Sequence, residues 1–186
     1  MTALLSEGRT VEIGLEAEDS ILGTVYIGKV KRIVRNLNAA FVDFAEGRTG
    51  YYSLTDNPRP LFADGHEGAM KEGDEVIVQV EKDAVRTKDP VLTSNISLQG
   101  RYAVVTAGKR VVGFSGKIHD REFKERLKPQ IEALMGEDAG VIVRTNAYGM
   151  EEALLAEIRL LMDQYRELLK RAAYRTCYSV LRRAEP

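Results

Sequence analysis

Residues 23–54 constrain this chain more than any other stretch. From Gly23 to Leu54 the sequence reads as three short strands that lay basic and aromatic side chains on one surface. Val25, Ile27, Lys29, Lys31 and Ile33 share one parity, and Tyr26, Gly28, Val30, Arg32 and Val34 share the other. Side chains alternate across a strand, so both faces of this run mix core and solvent positions, as a twisted sheet that closes on itself requires. Asn36-Leu-Asn38 predicts a turn, Ala39–Phe44 a second strand, and Glu46–Gly50 a turn into Tyr51-Tyr52. Between residues 26 and 50 five basic groups (Lys29, Lys31, Arg32, Arg35, Arg48) face two acidic ones (Asp43, Glu46). Rings interleaved with cations on a small barrel suit a single-stranded nucleic acid, whose bases stack while its phosphates are tracked by Lys and Arg.

Parity narrows the choice of ring. Phe41 and Phe44 have opposite parity, so one of them faces out; Tyr51 and Tyr52 are adjacent, so the same holds for them. Parity alone does not say which.

The rest of the chain divides by pattern. Residues 2–15 predict a hairpin, with Thr2–Leu5 and Thr10–Leu15 joined by a Ser-Glu-Gly turn, and Glu16–Ser20 is a polar linker. Strands near 22–34, 39–44, 50–53, 75–82 and 91–97 make a small five-stranded barrel, with a long connection from Thr55 to Ala69. A second unit starts at Gln99–Val105, a strand, with another at Arg110–Phe114. A helix then begins near Asp120 on Phe123, Leu127, Ile131 and Leu134, and Pro129 is expected to kink it or start a new segment. Gly140–Thr145 predicts a buried strand, and Glu151 to about Tyr174 the strongest helix, on an apolar stripe from Leu154 to Ala172.

Composition sets bounds. The 186 residues, 44% of them hydrophobic, suffice for one ordinary domain or two small ones. A net charge of −1 means that nucleic-acid binding must come from local patches. One such patch is residues 99–128, with eight basic and three acidic groups. The single cysteine, Cys177, excludes an intrachain disulfide and a Cys-cluster zinc site. Neither His66 nor His119 has a partner at metal or triad spacing, and a lone strand carboxylate such as Asp43 reads as structural. With no apolar signal segment or long apolar run, a cytoplasmic chain without membrane contact is expected.

Several separated stretches carry a resemblance. Tyr26-Ile-Gly-Lys-Val-Lys-Arg-Ile-Val34, Ala39-Ala-Phe-Val-Asp-Phe44 and Gly50-Tyr51 resemble the S1-type RNA-binding domain of the bacterial ribonuclease E/G family. Glu72–Val80, Lys88–Leu98 and Gly100–Val105 follow in the family's order, and Gly140-Val-Ile-Val-Arg-Thr145 resembles its 5′-phosphate sensor. The resemblance implies a mixed α and β fold: an S1-type OB barrel over residues 19–98, then a small α/β sensor subdomain over 99–186 with a long C-terminal helix. It reads 1–18 as a hairpin left from the family's RNase H-like region. The motif alignment selects Phe41 and Tyr51 as the base-stacking rings, leaving Tyr26 and Phe44 internal. It also sets Lys88 beside the RNA face, with Lys29 and Lys31 as background phosphate attraction.

For the sensor, the resemblance implies that Arg144 and Thr145 hold a 5′-monophosphate, with backbone contacts at Gly100 and Val104. The bland alternative is an Arg144 ion pair with Glu151 or Glu157. At Ser115-Gly-Lys-Ile118 the chain departs from an arginine pair frequent in the family. Only Lys117 carries a charge there, as a point charge without bidentate geometry, which implies a weaker grip. The implied partner is single-stranded RNA, preferably 5′-monophosphorylated, and the full-length family protein is a possible homo-oligomer. Family members cleave RNA with magnesium held by acidic residues in a following domain. No such carboxylate pair is identified in this sequence, so substrate capture without a cofactor is expected of it. An OB-type module that binds protein or oligosaccharide is the alternative.

Overall fold

The computed structural model describes residues 2–6, 9–13 and 20–184. Strands β1 (Thr2–Ser6) and β2 (Arg9–Ile13) pair antiparallel, with Thr2 opposite Ile13. The turn at residues 7–8 and the linker at 16–19 lie outside the described residues.

Five strands close into a barrel: β3 (Val25–Val34), β4 (Ala39–Ala45), β5 (Arg48–Ser53), β6 (Glu75–Lys82) and β7 (Val91–Thr93). Their order is β3-β4-β5-β7-β6 and back to β3, antiparallel throughout except for the β5–β7 pair. Two glycines permit the closure. A Cβ on Gly28 would stand 2.5 Å from a Val42 methyl, and one on Gly50 2.5 Å from Leu92. Tyr26, Val30, Val42, Phe44, Tyr52, Val78 and Leu92 fill the interior, where Tyr26 meets Phe44 edge-on at 5.1 Å.

The first half of β3 is buried on both sides. Tyr26 and Val30 point into the barrel, whereas Val25 and Ile27, with Ile77 of β6, belong to a second core shared with the helices. Lys29 then pairs with Asp43 and Arg32 with Phe41, three residues along one strand against two along the other. That bulge at Lys31 resets the alternation and turns Lys31 and Arg32 to the exposed side together.

The predicted strand over 91–97 is in fact two. After β7, Thr93 Oγ1 and the Ser94 amide both donate to Asn57 Oδ1, at 2.8 and 2.9 Å. Ser94 Oγ donates to the Ile77 carbonyl at 3.0 Å and accepts from Tyr52 at 2.8 Å. These buried bonds turn the chain out of the barrel. The next residues form β8 (Ser97–Gln99) in a separate sheet with β9 (Ala103–Ala107), β10 (Val112–Phe114) and, after α1 (Arg121–Leu134), β11 (Ala139–Val143). The order is β10-β11-β9-β8, with β10 and β11 parallel. The predicted strand Gln99–Val105 is therefore interrupted at residues 100–102 by a turn, in which the Gly100 amide donates to the Ala103 carbonyl at 2.8 Å.

Helix α1 starts on Asp120, whose carboxylate accepts from the Phe123 amide at 3.0 Å. It runs through Pro129 as one element rather than starting a new segment there, because Leu127 and Ile131, both fully buried, hold it on the core from either side. Helix α2 (Glu151–Ala172) buries Leu154, Ile158, Leu161, Met162, Tyr165 and Leu168 in the same core. The final strand β12 (Val180–Arg182) returns to pair with the start of β3, a contact with no local sequence signal. The fold is thus a closed five-stranded barrel plus a small sheet and two helices, the C-terminal one long. Among the described residues no helix is long and apolar enough to cross a membrane.

Candidate nucleic-acid interface

Two clusters stand out. The first is on the outer wall of the barrel. Phe41 and Tyr51 sit directly opposite each other on β4 and β5, both half-buried, with ring centroids 6.1 Å apart at 73°. Arg32, opposite Phe41 on β3, lays its guanidinium 4.8 Å above the Phe41 ring. A cation and two rings thus form one row across three neighbouring strands. Lys31, Arg32, Phe41, Thr49, Glu72 and Asp89 line an open groove of about 590 Å³ along it. Tyr52, the neighbour of Tyr51, is fully buried, and burial pushes its hydroxyl up to about 12. Phe44, three residues from Phe41, is also fully buried.

The predicted lysines are spread differently. Lys31 lines the groove, whereas Lys29 is exposed one step away beside Asp43 and Glu75 on its flanking strands. Lys88 is exposed in the tight loop before β7, where its backbone pairs with Val85, three residues ahead of Val91, the partner of Tyr51. Arg32 entered the sequence reading only as one charge among five, because the bulge that turns it outward has no signature in the alternation.

The second cluster lies where β10 and β11 end side by side. Thr145 and Ser115, just beyond those strand ends, share a hydrogen bond at 2.7 Å, and the Lys117 amide donates to Ser115 Oγ at 3.3 Å. This brings the Ser115–Lys117 turn against Arg144 and Thr145. The Arg144 amide donates to the Tyr102 carbonyl at 2.8 Å, and its guanidinium donates to Gln99 Oε1. Tyr148, just beyond, tilts over Phe123 at 5.0 Å and donates its hydroxyl to Asp120 at 2.8 Å. The Phe123 amide and that hydroxyl hold the Asp120 carboxyl below the usual carboxylate range, and Asp120 in turn raises Tyr148.

Neither carboxylate considered as a partner for Arg144 reaches it. Glu151 pairs with Arg126. Glu157 accepts from three successive backbone amides, Arg101 and Tyr102 at 2.6 Å and Ala103 at 3.0 Å. Here a side chain fills a cradle of amides of the kind that elsewhere holds anions. Gly100 is required at this point, since a Cβ would stand 2.6 Å from the Glu157 carboxyl carbon. The Gly100 amide is engaged within the turn and Val104 pairs within the sheet, between Gln99 and Ile142. Among the described residues no group of three or more His, Cys, Asp or Glu side chains is arranged to hold a metal ion.

The family model described as the ribonuclease E/G family matches residues 97–186. Ribonuclease G of Escherichia coli (strain K12) is 34% identical over 157 residues, covering 78% of this chain and 32% of the relative. Ribonuclease G of Haemophilus influenzae is 31% identical over 183 residues, covering 91% of this chain and 37% of the relative. Ribonuclease E of Nostoc sp. is 31% identical over 178 residues, covering 92% and 26%. The chain therefore spans about a third of the length of the curated relatives it matches. Together, these matches and the order of elements place it: the chain belongs to the ribonuclease E/G family.

Proposed function

We propose that this chain captures single-stranded RNA and recognises a 5′-monophosphate end, as the substrate-binding part of an RNA-processing endoribonuclease. The observation that carries the reading is the Arg32–Phe41–Tyr51 row, of which Arg32 and Phe41 line the open groove and Tyr51 stands edge-on beside Phe41. Bases stack on rings regardless of sequence, and each such contact contributes about 1–3 kcal/mol. Lys31 lies at the groove for a phosphate, with Lys29 and Lys88 more peripheral. In this reading residues 19–98 form the RNA-binding unit and residues 99–186 the end-sensing unit.

The end of the strand goes to the second cluster. A guanidinium offers five N–H donors, of which Gln99 engages one from Arg144. The remainder suit the oxygens of a compact dianion. If the Lys117 amide holds Ser115 Oγ and Ser115 donates to Thr145, the Thr145 hydroxyl proton is free for a phosphate oxygen. Lys117 adds charge. Gly100 and Val104 contribute the shape of the wall rather than free amides. No step of this binding requires a metal from this chain.

The test is an RNA-binding isotherm at several salt concentrations. Phosphate contacts release counterions, so affinity for a short single-stranded RNA should fall steadily as salt rises. Absence of binding, or binding indifferent to salt, would refute the proposal in favour of a protein- or oligosaccharide-binding module.

A further inference from the structure

We infer that Gln99 is a positioning residue for Arg144, holding its guanidinium in the orientation that a 5′-phosphate needs. The inference rests on the phosphate-end reading of this cluster. Three observations carry it. Gln99 Nε2 donates to Ser97 Oγ at 3.0 Å, which engages one of its two N–H donors and leaves Oε1 facing the Arg144 guanidinium. The Arg144 amide is held by the Tyr102 carbonyl at 2.8 Å, so the residue is fixed at its backbone and at its charged end. Among the described residues Arg144 forms no ion pair, because Arg126 and the amides at 101–103 engage Glu151 and Glu157.

The chemistry of the anchor matters. A carboxylate at position 99 would orient Arg144 and also cancel its charge, spoiling the attraction for an anion. A neutral carbonyl oxygen orients the guanidinium and leaves its full charge and most of its donors for the ligand. Where an expected second cation is missing at Gly116, fixing the one arginine recovers part of the lost grip by reducing the rotamer freedom surrendered on binding.

The experiment uses the full chain and two short RNAs of one sequence, one with a 5′-monophosphate and one with a 5′-hydroxyl. The ratio of their dissociation constants is measured for wild type, Gln99→Met, Arg144→Ala and the double variant. Gln99→Met keeps the length of the side chain and removes the acceptor; Gln99 is exposed, and a thermal melt checks that the fold is kept. The ratio should fall about threefold to tenfold in Gln99→Met, the net worth of one ordinary hydrogen bond, because the lost contact acts only through the orientation of Arg144. It should not fall further when Gln99→Met is added to Arg144→Ala. Side-chain nitrogen NMR supplies a readout independent of RNA: hindered rotation of the Arg144 guanidinium in wild type, relieved in Gln99→Met. An unchanged ratio in Gln99→Met, a further drop in the Arg144→Ala background, or a freely rotating guanidinium in wild type each overturns the inference while leaving the phosphate-end reading intact. A wild-type ratio of one removes that reading, and the inference with it.

Discussion

The barrel groove and the Arg144 cluster are assembled by opposite means. In the groove, strands present side chains outward, with Arg32 over the Phe41 ring and Phe41 edge-on to Tyr51. In the cluster, turns are held by polar contacts: Glu157 on three amides, Tyr102 on Arg144, Gln99 on its guanidinium and Ser115 on Thr145. The groove is therefore modular, since losing one ring leaves the scaffold standing. The cluster is a network, in which Glu157 and Gln99 set the positions of the turn and the guanidinium that the proposed reading gives to a phosphate. Recognition by stacking tolerates small displacements, whereas recognition of a compact dianion does not.

The largest effect expected is in the barrel interior. Phe44→Ala should cost about 3–5 kcal/mol of unfolding free energy, because a fully buried ring leaves a cavity. Denaturant titration against Phe41→Ala measures the contrast; equal losses in the two would mean that Phe41 is a core residue after all. Next comes Glu157→Ala, which strips a charged acceptor from three amides and should cost about 2–3 kcal/mol. It should also abolish any preference for a 5′-monophosphate while leaving affinity for 5′-hydroxyl RNA nearly unchanged. A parallel fall for both RNAs would show that the two regions are mechanically coupled.

Phe41→Ala and Tyr51→Ala should each weaken RNA binding by about 1–3 kcal/mol, with little change in the 5′-end ratio. Fluorescence anisotropy on the two variants decides this, and wild-type affinity in both well-folded proteins would remove the rings from the interface. The smallest effects separate by pH. The Tyr52 hydroxyl is held neutral by burial up to about 12, so its contribution is complete below pH 10, the unfolded value, and is lost as pH rises from 10 through about 12. Tyr52→Phe should flatten part of that alkaline loss, and Tyr165, raised to about 12 mainly by burial, accounts for more. At the other end, the depressed Asp120 carboxyl contributes above the unfolded value near pH 4 and ceases to as pH falls through its folded value. Acid below about pH 4 should therefore loosen the Tyr148–Asp120 contact in the cluster, a change that amide exchange near residue 148 would register.

Much of the scaffold was legible because its signals are local. Strand alternation and turn residues located β3 to β6 to within three residues, and the stripes at 123–134 and 154–172 located both helices. The parity argument required one ring of each pair, 41 or 44 and 51 or 52, to face out, and the motif alignment left Tyr26 and Phe44 internal; both are buried, as is Tyr52. What escaped was set by partners distant in sequence. Gln99 meets Arg144 across 45 positions, and Glu157 meets the amides of 101–103 across 54 to 56. The end of β7 depends on Asn57, 36 and 37 positions away, and nothing in residues 180–182 announces a strand paired to β3. Glu157 was weighed only as an ion-pair partner for Arg144, since a helix carboxylate gives no hint that it will cap a turn elsewhere.

The most direct test of the division of labour is a single comparison by fluorescence anisotropy. The dissociation constants of 5′-monophosphorylated and 5′-hydroxyl RNA are measured with wild-type protein and with Arg144→Ala. Wild type should bind the monophosphate more tightly, by roughly 1.5–3 kcal/mol if the site is shielded, and Arg144→Ala should bind both RNAs alike, at the wild-type affinity for the hydroxyl form. Equal affinities in wild type would contradict the account and leave Arg144 as a structural residue anchored to Gln99.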